Sequence, residues 1–237
     1  MPSLAQLKEK IFYGWVLTIA GVVILASTLG VRHSFGVFFK SIELEFSLSR
    51  GATSSIFSIY MILCAAMAIL GGWMLDRYGP RIAAISFGLF TGLSSVLTAN
   101  AGDLWQLFIS YSLLLSLGTG AVFTVVISTV SRWFTKNRGF ALGITQSGGS
   151  LGAVVIAPLA TYLIVNLDWR TALMIMGAAI FIIVTSTSLL LRKDPADSGL
   201  MPDGVPVRAG AKNRHTVTSG ANISDFTLSE AFKTSDF

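Results

Sequence analysis

Long apolar runs alternate with short polar connections along most of the chain, and this alternation is the main structural signal in the sequence. Each run is long enough to cross a bilayer, which takes about 20 residues of helix because the hydrocarbon core is about 30 Å thick. Helices are expected because a helix satisfies its own backbone hydrogen bonds where water is absent. The pattern therefore predicts six transmembrane helices, over residues 13–39, 53–75, 82–100, 104–131, 140–165 and 171–191.

Composition supports an all-α membrane protein. Hydrophobic residues make up 53% of the chain and charged residues only 12%, whereas an ordinary soluble domain carries about 25% charged residues. The lone cysteine, Cys64, lies inside an apolar run, so no intrachain disulfide and no CxxC metal or redox motif can form. The net charge of +5 is not arranged as a basic patch with interleaved aromatics, so nucleic acid is not an expected partner. We expect no metal and no cofactor.

Basic residues are unequally divided between the two sides of the predicted helices. Thirteen lie in connections on one side, against Lys40, Arg50 and Arg170 on the other. Positive charge favours the cytoplasmic side. Both ends are therefore predicted to be cytoplasmic, in a plasma (inner) membrane.

Three regions follow from this pattern. Residues 1–12 form a cytoplasmic N-terminus and residues 13–191 the six-helix membrane domain. Residues 192–237 are rich in Pro, Gly, Ser and charged residues and cannot bury a core, so they are interpreted as a cytoplasmic linker.

The connection between the second and third predicted helices carries a compact charged motif, Gly72-x3-Asp76-Arg77-x-Gly79-x-Arg81. Glycine permits a tight turn, which would present one acid and two bases at the membrane boundary. Gly72 would also let a neighbouring helix approach closely. A carboxylate held there can pair with a base on another loop or with a helix N-terminus. Such a contact can form and break as the helices move, so it could hold one conformation closed.

This motif resembles the loop between the second and third helices of the major facilitator superfamily, with Pro80 where arginine is commoner. The stretch 132–143, which contains Arg132 and Arg138, is similar to the entry to the fifth helix of monocarboxylate transporters and related oxalate/formate antiporters. Residues 34–39 and 194–204 are also similar to bacterial members of that branch. The resemblance covers residues 12 to about 205.

The resemblance implies twelve helices in two six-helix halves, with substrate bound between the halves near the midplane and alternating access. The chain would be the N-terminal half, built from two inverted three-helix repeats. Residues 227–233 are similar to the segment before a seventh helix, so we expect the chain to stop there and the C-terminal six-helix half to be missing. The acid and base that monocarboxylate transporters carry on their eighth helix are then absent.

Arg32 is the only Lys or Arg inside a predicted span. Arginine at mid-span costs about 2.5–3.5 kcal/mol on insertion scales, so it usually faces a bundle interior or a watery cavity. Arg32 is the leading candidate for binding an anion. The alternative is that its side chain reaches the outer interface, since only seven residues separate it from Phe39.

Two further residues are substrate-binding candidates. His33 could titrate near neutral pH and serve proton coupling, or it could be a packed side chain. Gln146 lies on a stripe of small and polar residues with Gly139, Gly143 and Ser150, at helical spacing. It could donate a hydrogen bond to substrate, or the stripe could serve helix packing.

Together these features favour secondary active transport of small organic anions of the monocarboxylate type by alternating access, either proton-coupled or anion-exchanging. The expected partners are a small carboxylate, a proton or counter-anion, and the lipid bilayer. The charged motif with Arg132 and Arg138 would gate the cytoplasmic side. Two alternatives stay open: transport of another solute class such as a drug or sugar, and a non-transporting sensor or scaffold.

An enzyme is not expected. The sequence has no HExxH and no GxxxxGK[ST] motif. A GxSxG match at residues 148–152 lies inside a predicted span, not at the strand-to-helix turn that its chemistry requires.

Overall fold

The computed structural model describes residues 12–195 and Asp203, and this part of the chain is helical with no strand. Seven α-helices and one π-helical segment follow in order. They are α1 Tyr13–His33, α2 Phe35–Phe46, α3 Arg50–Ala99, α4 Leu104–Leu107, the π-helical segment Phe108–Leu114, α5 Leu115–Trp133, α6 Arg138–Asn166 and α7 Trp169–Ser188.

Five long apolar helical stretches in the described residues are suited to cross a membrane, which agrees with an all-helical membrane domain. They are Tyr13–Phe46, Arg50–Ala99, Leu104–Trp133, Arg138–Asn166 and Trp169–Ser188. The count differs from the six predicted spans because the second and third belong to one helical run, α3.

The run α3 folds back on itself at Gly79, whose backbone is non-helical (φ 80°, ψ 169°). A Cβ added to Gly120 would lie 2.5 Å from the carbonyl oxygen of Cys64, and one added to Gly118 would lie 2.8 Å from that of Phe87. Cys64 and Phe87 would be roughly 35 Å apart along a straight helix, at about 1.5 Å per residue. Since both contact the same turn of α5, α3 is a helical hairpin with arms 50–78 and 80–99.

The turn of this hairpin is shorter than the predicted loop, because only Gly79 leaves helical geometry. Pro80 follows, and proline suits the first turn of a helix because it lacks an N–H. No described residue makes the close approach expected at Gly72, since a Cβ there would meet nothing within 4 Å in residues 12–195. The approach is made one residue earlier, where a Cβ on Gly71 would lie 2.5 Å from the Ala121 carbonyl oxygen.

The first predicted span is interrupted at Ser34, between α1 and α2. The Ser34 N–H donates to the carbonyl oxygens of Gly30 and Val31 at 3.0 and 3.1 Å, and the helix resumes at Phe35. It then continues to Phe46, past the predicted end at residue 39. The break falls two residues after the one arginine predicted inside a span.

Small residues bring helix backbones into contact elsewhere. A Cβ on Gly148 of α6 would lie 2.5 Å from the Val22 carbonyl oxygen of α1, and Gly152 faces the Ala26 carbonyl one turn further on. Such contacts let two helices approach along their backbones, and packing of this kind drives helix association in membranes. α1 and α6 are therefore tightly paired. The cavity described below is lined by residues of α1, α3 and α5.

Candidate functional site

A cavity of about 310 Å³ opens between α1, the first arm of α3, and α5. This volume is at the lower end of the range for small-molecule pockets, about 300–1,000 Å³. Arg32 is the one charged side chain in its lining. The lining residues are Leu29, Arg32, Met61, Cys64, Ala65, Ala68, Thr119, Gly120 and Phe123.

The Arg32 side chain is half-buried on the wall of this cavity. Within residues 12–195 no carboxylate pairs with its guanidinium and no acceptor hydrogen-bonds to it. A cation removed from bulk water without a counter-charge is costly unless an anion or ordered water completes its shell. The structure therefore presents a guanidinium with room for an anion beside it.

Thr119 and Cys64 of the cavity lining belong to a network that also includes Tyr60. Thr119 donates its hydroxyl proton to the Leu115 carbonyl oxygen at 2.8 Å, so the Tyr60 hydroxyl, 2.8 Å away, donates to Thr119. The Cys64 sulfur lies 3.5 Å from the same threonine oxygen. These bonds tie α3 to α5 and leave little donor capacity on Thr119 for a ligand.

Five aromatic rings cluster next to the cavity, with neighbouring centroids 4.1–6.0 Å apart. One of them, Tyr111, is carried on the π-helical segment, and its hydroxyl is buried without a hydrogen-bond partner in the described chain. Its ring centroid lies 5.3 Å from that of Phe35, which follows Arg32 by three residues in the sequence. Members of the cluster are Phe35, Phe39, Phe57, Tyr60 and Tyr111.

Sequence reasoning missed both tyrosines. The available signal was a phenol inside an apolar span, since a buried tyrosine hydroxyl usually requires a partner. What the sequence could not show is that Tyr60 has a partner and Tyr111 has none, because the partner belongs to another helix.

The structure does not bring His33 or Gln146 into this cavity: both side chains are exposed, and neither is among the lining residues. The stripe that contains Gln146 is exposed along its length, and a Cβ on Gly139 or Gly143 would meet nothing within 4 Å. The stripe therefore faces away from the other described helices. It does not serve packing among them.

Two of the predicted gating residues, Asp76 and Arg132, form an ion pair at one end of the helices. Arg132 Nη2 lies 2.8 Å from Asp76 Oδ1, and Arg132 Nη1 lies 3.9 Å from Asp194 Oδ1. Lys193 Nζ donates to the Asp76 backbone carbonyl at 3.0 Å. The Asp76 side chain is 72% exposed, and exposed pairs contribute about 0–1 kcal/mol, so this contact is easily broken.

Two more contacts join the same end to the residues after α7. Arg81 Nε donates to the Leu191 carbonyl oxygen at 2.6 Å, and Trp133 Nε1 donates to that of Arg192 at 3.2 Å. Arg138, by contrast, is exposed at the start of α6. Loops that the sequence places on one side of the membrane therefore do meet at one end of the helices.

Asp203 is fixed to the connection between α5 and α6. Its carboxylate accepts the backbone N–H groups of Thr135 and Lys136 at 3.1 and 2.8 Å. The hydrogen bond from the Lys136 N–H is the main cause that holds the pKa of this carboxyl below its usual value, and bonds from Thr135 add a smaller effect. An ionised carboxylate is thus favoured at this junction.

A second set of ties lies at the opposite end. Arg170 pairs with Glu45 at 2.6 Å and donates to the carbonyl oxygens of Ala99 and Ala101 at 2.7 and 3.0 Å. Asp168 accepts the N–H of Thr171 and caps α7, and this bond lowers the pKa of the Asp168 carboxyl. One arginine therefore joins α2, the end of α3, and α7.

Comparison with known proteins adds the family context. The sequence profile described as Major Facilitator Superfamily matches residues 12–226. Monocarboxylate transporter 13 of Bos taurus is 30% identical over 191 residues, which are 79% of this chain and 45% of that protein. Riboflavin transporter RibJ of Trypanosoma brucei brucei is 30% identical over 200 residues, 81% of this chain and 36% of that protein.

A bacterial relative matches a shorter part of this chain. The probable sulfoacetate transporter SauU of Cupriavidus necator is 34% identical over 148 residues, 62% of this chain and 34% of that protein. The chain spans less than half the length of these relatives.

Proposed function

Because the chain belongs to the Major Facilitator Superfamily, we propose that the protein carries out secondary active transport of small organic anions, with monocarboxylates as the substrate class. The observation that carries this proposal is the placement of Arg32. It is the single charged side chain on the wall of an internal cavity, and no described carboxylate neutralises it.

The chemistry of the cavity supports a small carboxylate. A guanidinium binds a carboxylate through charge-assisted hydrogen bonds, which are roughly twice as strong as neutral ones. The rest of the lining is largely apolar, with Leu29, Met61 and Phe123 available to contact a short hydrocarbon tail. Relatives named as monocarboxylate and sulfoacetate transporters fit the same chemistry, an acidic group on a small carbon skeleton.

In this proposal the two arms of α3 each cross the bilayer, so six spans form two inverted three-helix repeats with both ends cytoplasmic in the plasma membrane. The Asp76–Arg132 pair closes the cytoplasmic end, and the Glu45–Arg170 pair closes the other end. Both pairs are partly exposed, so neither costs much to open, and alternate opening gives alternating access.

The exposed stripe on α6 has a place in the same proposal. Gln146 and its small neighbours face a second six-helix half, so that Gln146 would contact substrate from the interface between halves. His33, which is exposed and adjoins Arg32 in the sequence, is the proposed proton-coupling residue. Arg138 adds positive charge beside the cytoplasmic gate.

The decisive experiment is carboxylate uptake by vesicles that contain the full-length protein. Arg32→Gln should reduce uptake of labelled lactate, formate or oxalate by about 10-fold or more, since a hydrogen bond to a charged group contributes about 1.5–3 kcal/mol. The matched control is Lys40→Gln, an exposed base on α2 outside the cavity, which should retain uptake. Unchanged kinetics in Arg32→Gln would remove this residue from the site.

The same vesicles separate the coupling modes and the alternative cargo. Uptake that follows an imposed pH gradient indicates proton coupling, whereas uptake that requires a preloaded anion indicates exchange. The riboflavin transporter relative favours a different solute as the second candidate. If no carboxylate moves under either condition while labelled flavin does, the carboxylate class is wrong.

A further inference from the structure

A second cavity, of about 550 Å³, lies at the end of the helices where the hairpin α3 turns. Its walls come from residues 77–82 around the turn and from residues 191–193 after α7. Four basic side chains line it, and no acidic side chain does so in the described part of the chain. The basic residues are Arg77, Arg81, Arg192 and Lys193.

The described carboxylates near this cavity do not pair with Arg77 or Arg81. Asp76 and Asp194 both direct an oxygen toward Arg132, at 2.8 and 3.9 Å, and Arg132 is not part of the lining. The acid of the charged motif is thus paired outside the cavity, while the two arginines of the same motif remain on its wall. The result is a concentration of positive charge.

Arg81 is held in a position suited to an oxyanion. Its Nε donates to the Leu191 carbonyl oxygen at 2.6 Å, while its two terminal nitrogens donate to none of the residues the structure describes. A guanidinium anchored in this way presents its remaining donors as a planar fork, which matches two oxygens of a phosphate.

Arg77 is placed by aromatic rings instead of by an acid. Its Cζ lies 5.4 Å from the ring centroid of Trp73 and 5.6 Å from that of Tyr78. Such stacking orients the guanidinium but leaves its charge uncompensated. The Lys193 ammonium carries three N–H donors, and one of them donates to the backbone carbonyl oxygen of Asp76.

The surroundings of this cavity place it at a membrane surface. The turn at Gly79 joins two apolar arms, so it lies where the chain leaves the hydrocarbon. Trp73, Tyr78 and Ile82 are 52%, 47% and 54% exposed around the turn. Tryptophan and tyrosine prefer the headgroup level of a bilayer, and isoleucine prefers the hydrocarbon.

From this arrangement we infer that the cavity at the turn of α3 binds the phosphate headgroup of an anionic phospholipid, with Arg77 and Arg81 as its principal contacts. The exposed Trp73 and Ile82 lie beside the lipid's glycerol and acyl region. A soluble phosphate would use the same two arginines but would gain nothing from this apolar rim. This site is separate from the Arg32 cavity and does not depend on which solute the protein moves.

The experiment measures lipid binding to the full-length protein by native mass spectrometry from detergent. The probes are dioleoyl phosphatidylglycerol, whose headgroup is anionic, and dioleoyl phosphatidylcholine, which has the same acyl chains and a zwitterionic headgroup. The wild type should bind phosphatidylglycerol preferentially. The double variant Arg77→Gln/Arg81→Gln should weaken that binding by about 100-fold, because each guanidinium loses a charge-assisted hydrogen bond to phosphate that contributes about tenfold in affinity.

Two matched variants keep this test interpretable. Arg138→Gln removes an exposed base at the same end but outside the cavity, and it should leave phosphatidylglycerol binding unchanged. Arg77→Gln alone spares the Arg81–Leu191 bond, so it should fold normally and still lose about tenfold in affinity, the contribution of one charge-assisted hydrogen bond. Thermal unfolding in phosphatidylcholine micelles checks the fold of each variant.

Three results would overturn the inference. Equal binding of the two lipids by the wild type would show that the cavity does not select an anionic headgroup. Equal losses in Arg138→Gln and in the double variant would indicate diffuse surface attraction. If millimolar glycerol 3-phosphate displaced phosphatidylglycerol but not any bound phosphatidylcholine, the cavity would be assigned to a soluble phosphate.

Discussion

At the scale of single residues, two buried tyrosines differ in one respect that the sequence does not reveal. Tyr60 and Tyr111 lie with ring centroids 5.9 Å apart, but only Tyr60 has a hydrogen-bond partner, Thr119. A buried hydroxyl without a partner costs about 1–3 kcal/mol of desolvation, whereas a paired one contributes about 0.5–1.5 kcal/mol. The unpaired hydroxyl of Tyr111 therefore lowers the stability of the described chain.

This difference predicts opposite outcomes for the same substitution. Tyr60→Phe should lower the free energy of unfolding by about 1 kcal/mol, since it removes the bond to Thr119. Tyr111→Phe should leave that free energy unchanged or raise it by about 1 kcal/mol, because it removes an unpaired group. Thermal unfolding of both variants in one detergent decides the matter. The reverse order would mean that Tyr111 has a partner in the full-length protein.

At the scale of elements, α6 presents two faces that have different neighbours although both are rich in glycine. Gly148 and Gly152 contact the backbone of α1, whereas Gly139 and Gly143 contact nothing in the described chain. Sequence spacing predicted small-residue stripes but could not assign them, because the neighbour of each face belongs to a different part of the fold.

Alanine substitution on each face separates the two roles. Gly148→Ala places a Cβ 2.5 Å from the Val22 carbonyl oxygen, and overpacking of this kind costs about 1–3 kcal/mol. Gly143→Ala meets open space and improves helix propensity, so its thermal midpoint should equal or exceed that of the wild type. A larger loss for Gly143→Ala would mean that the exposed stripe is packed against the rest of the full-length protein.

At the scale of the whole molecule, polar contacts concentrate at two opposite ends, and the Arg32 cavity lies between them. One end joins the turn of α3 to the residues after α7 through Arg132 and Arg81. The other end is tied by Arg170. Between these ends, Cys64 lies in the cavity lining that also contains Arg32, and it is the one cysteine of the sequence.

Cys64 therefore reports on access to the cavity and on its charge. In the protein with Cys64 as its only cysteine, an anionic methanethiosulfonate should react about tenfold faster than a cationic one. A unit charge about 10 Å away changes the energy of each reagent by about 1.7 kcal/mol, in opposite directions, at an effective dielectric constant of about 20. The combined difference of about 3.3 kcal/mol is an upper limit, and screening by water and salt reduces it to a rate ratio of about tenfold or more. In Arg32→Gln the two reagents should modify Cys64 at equal rates, after each rate is divided by that reagent's rate with glutathione. Equal rates in the wild type would contradict a cationic, water-filled cavity.

The sequence by itself determined the class of the protein, its family and its one intramembrane arginine, because hydrophobic length and charge inside an apolar run are properties of consecutive residues. Only the tertiary structure decided which groups meet. It left the Tyr111 hydroxyl unpaired in the described chain, placed the close helix contact at Gly71, and placed Gln146 outside the cavity. These outcomes depend on which helix lies opposite each face, and residues fifty or more positions away supply that neighbour.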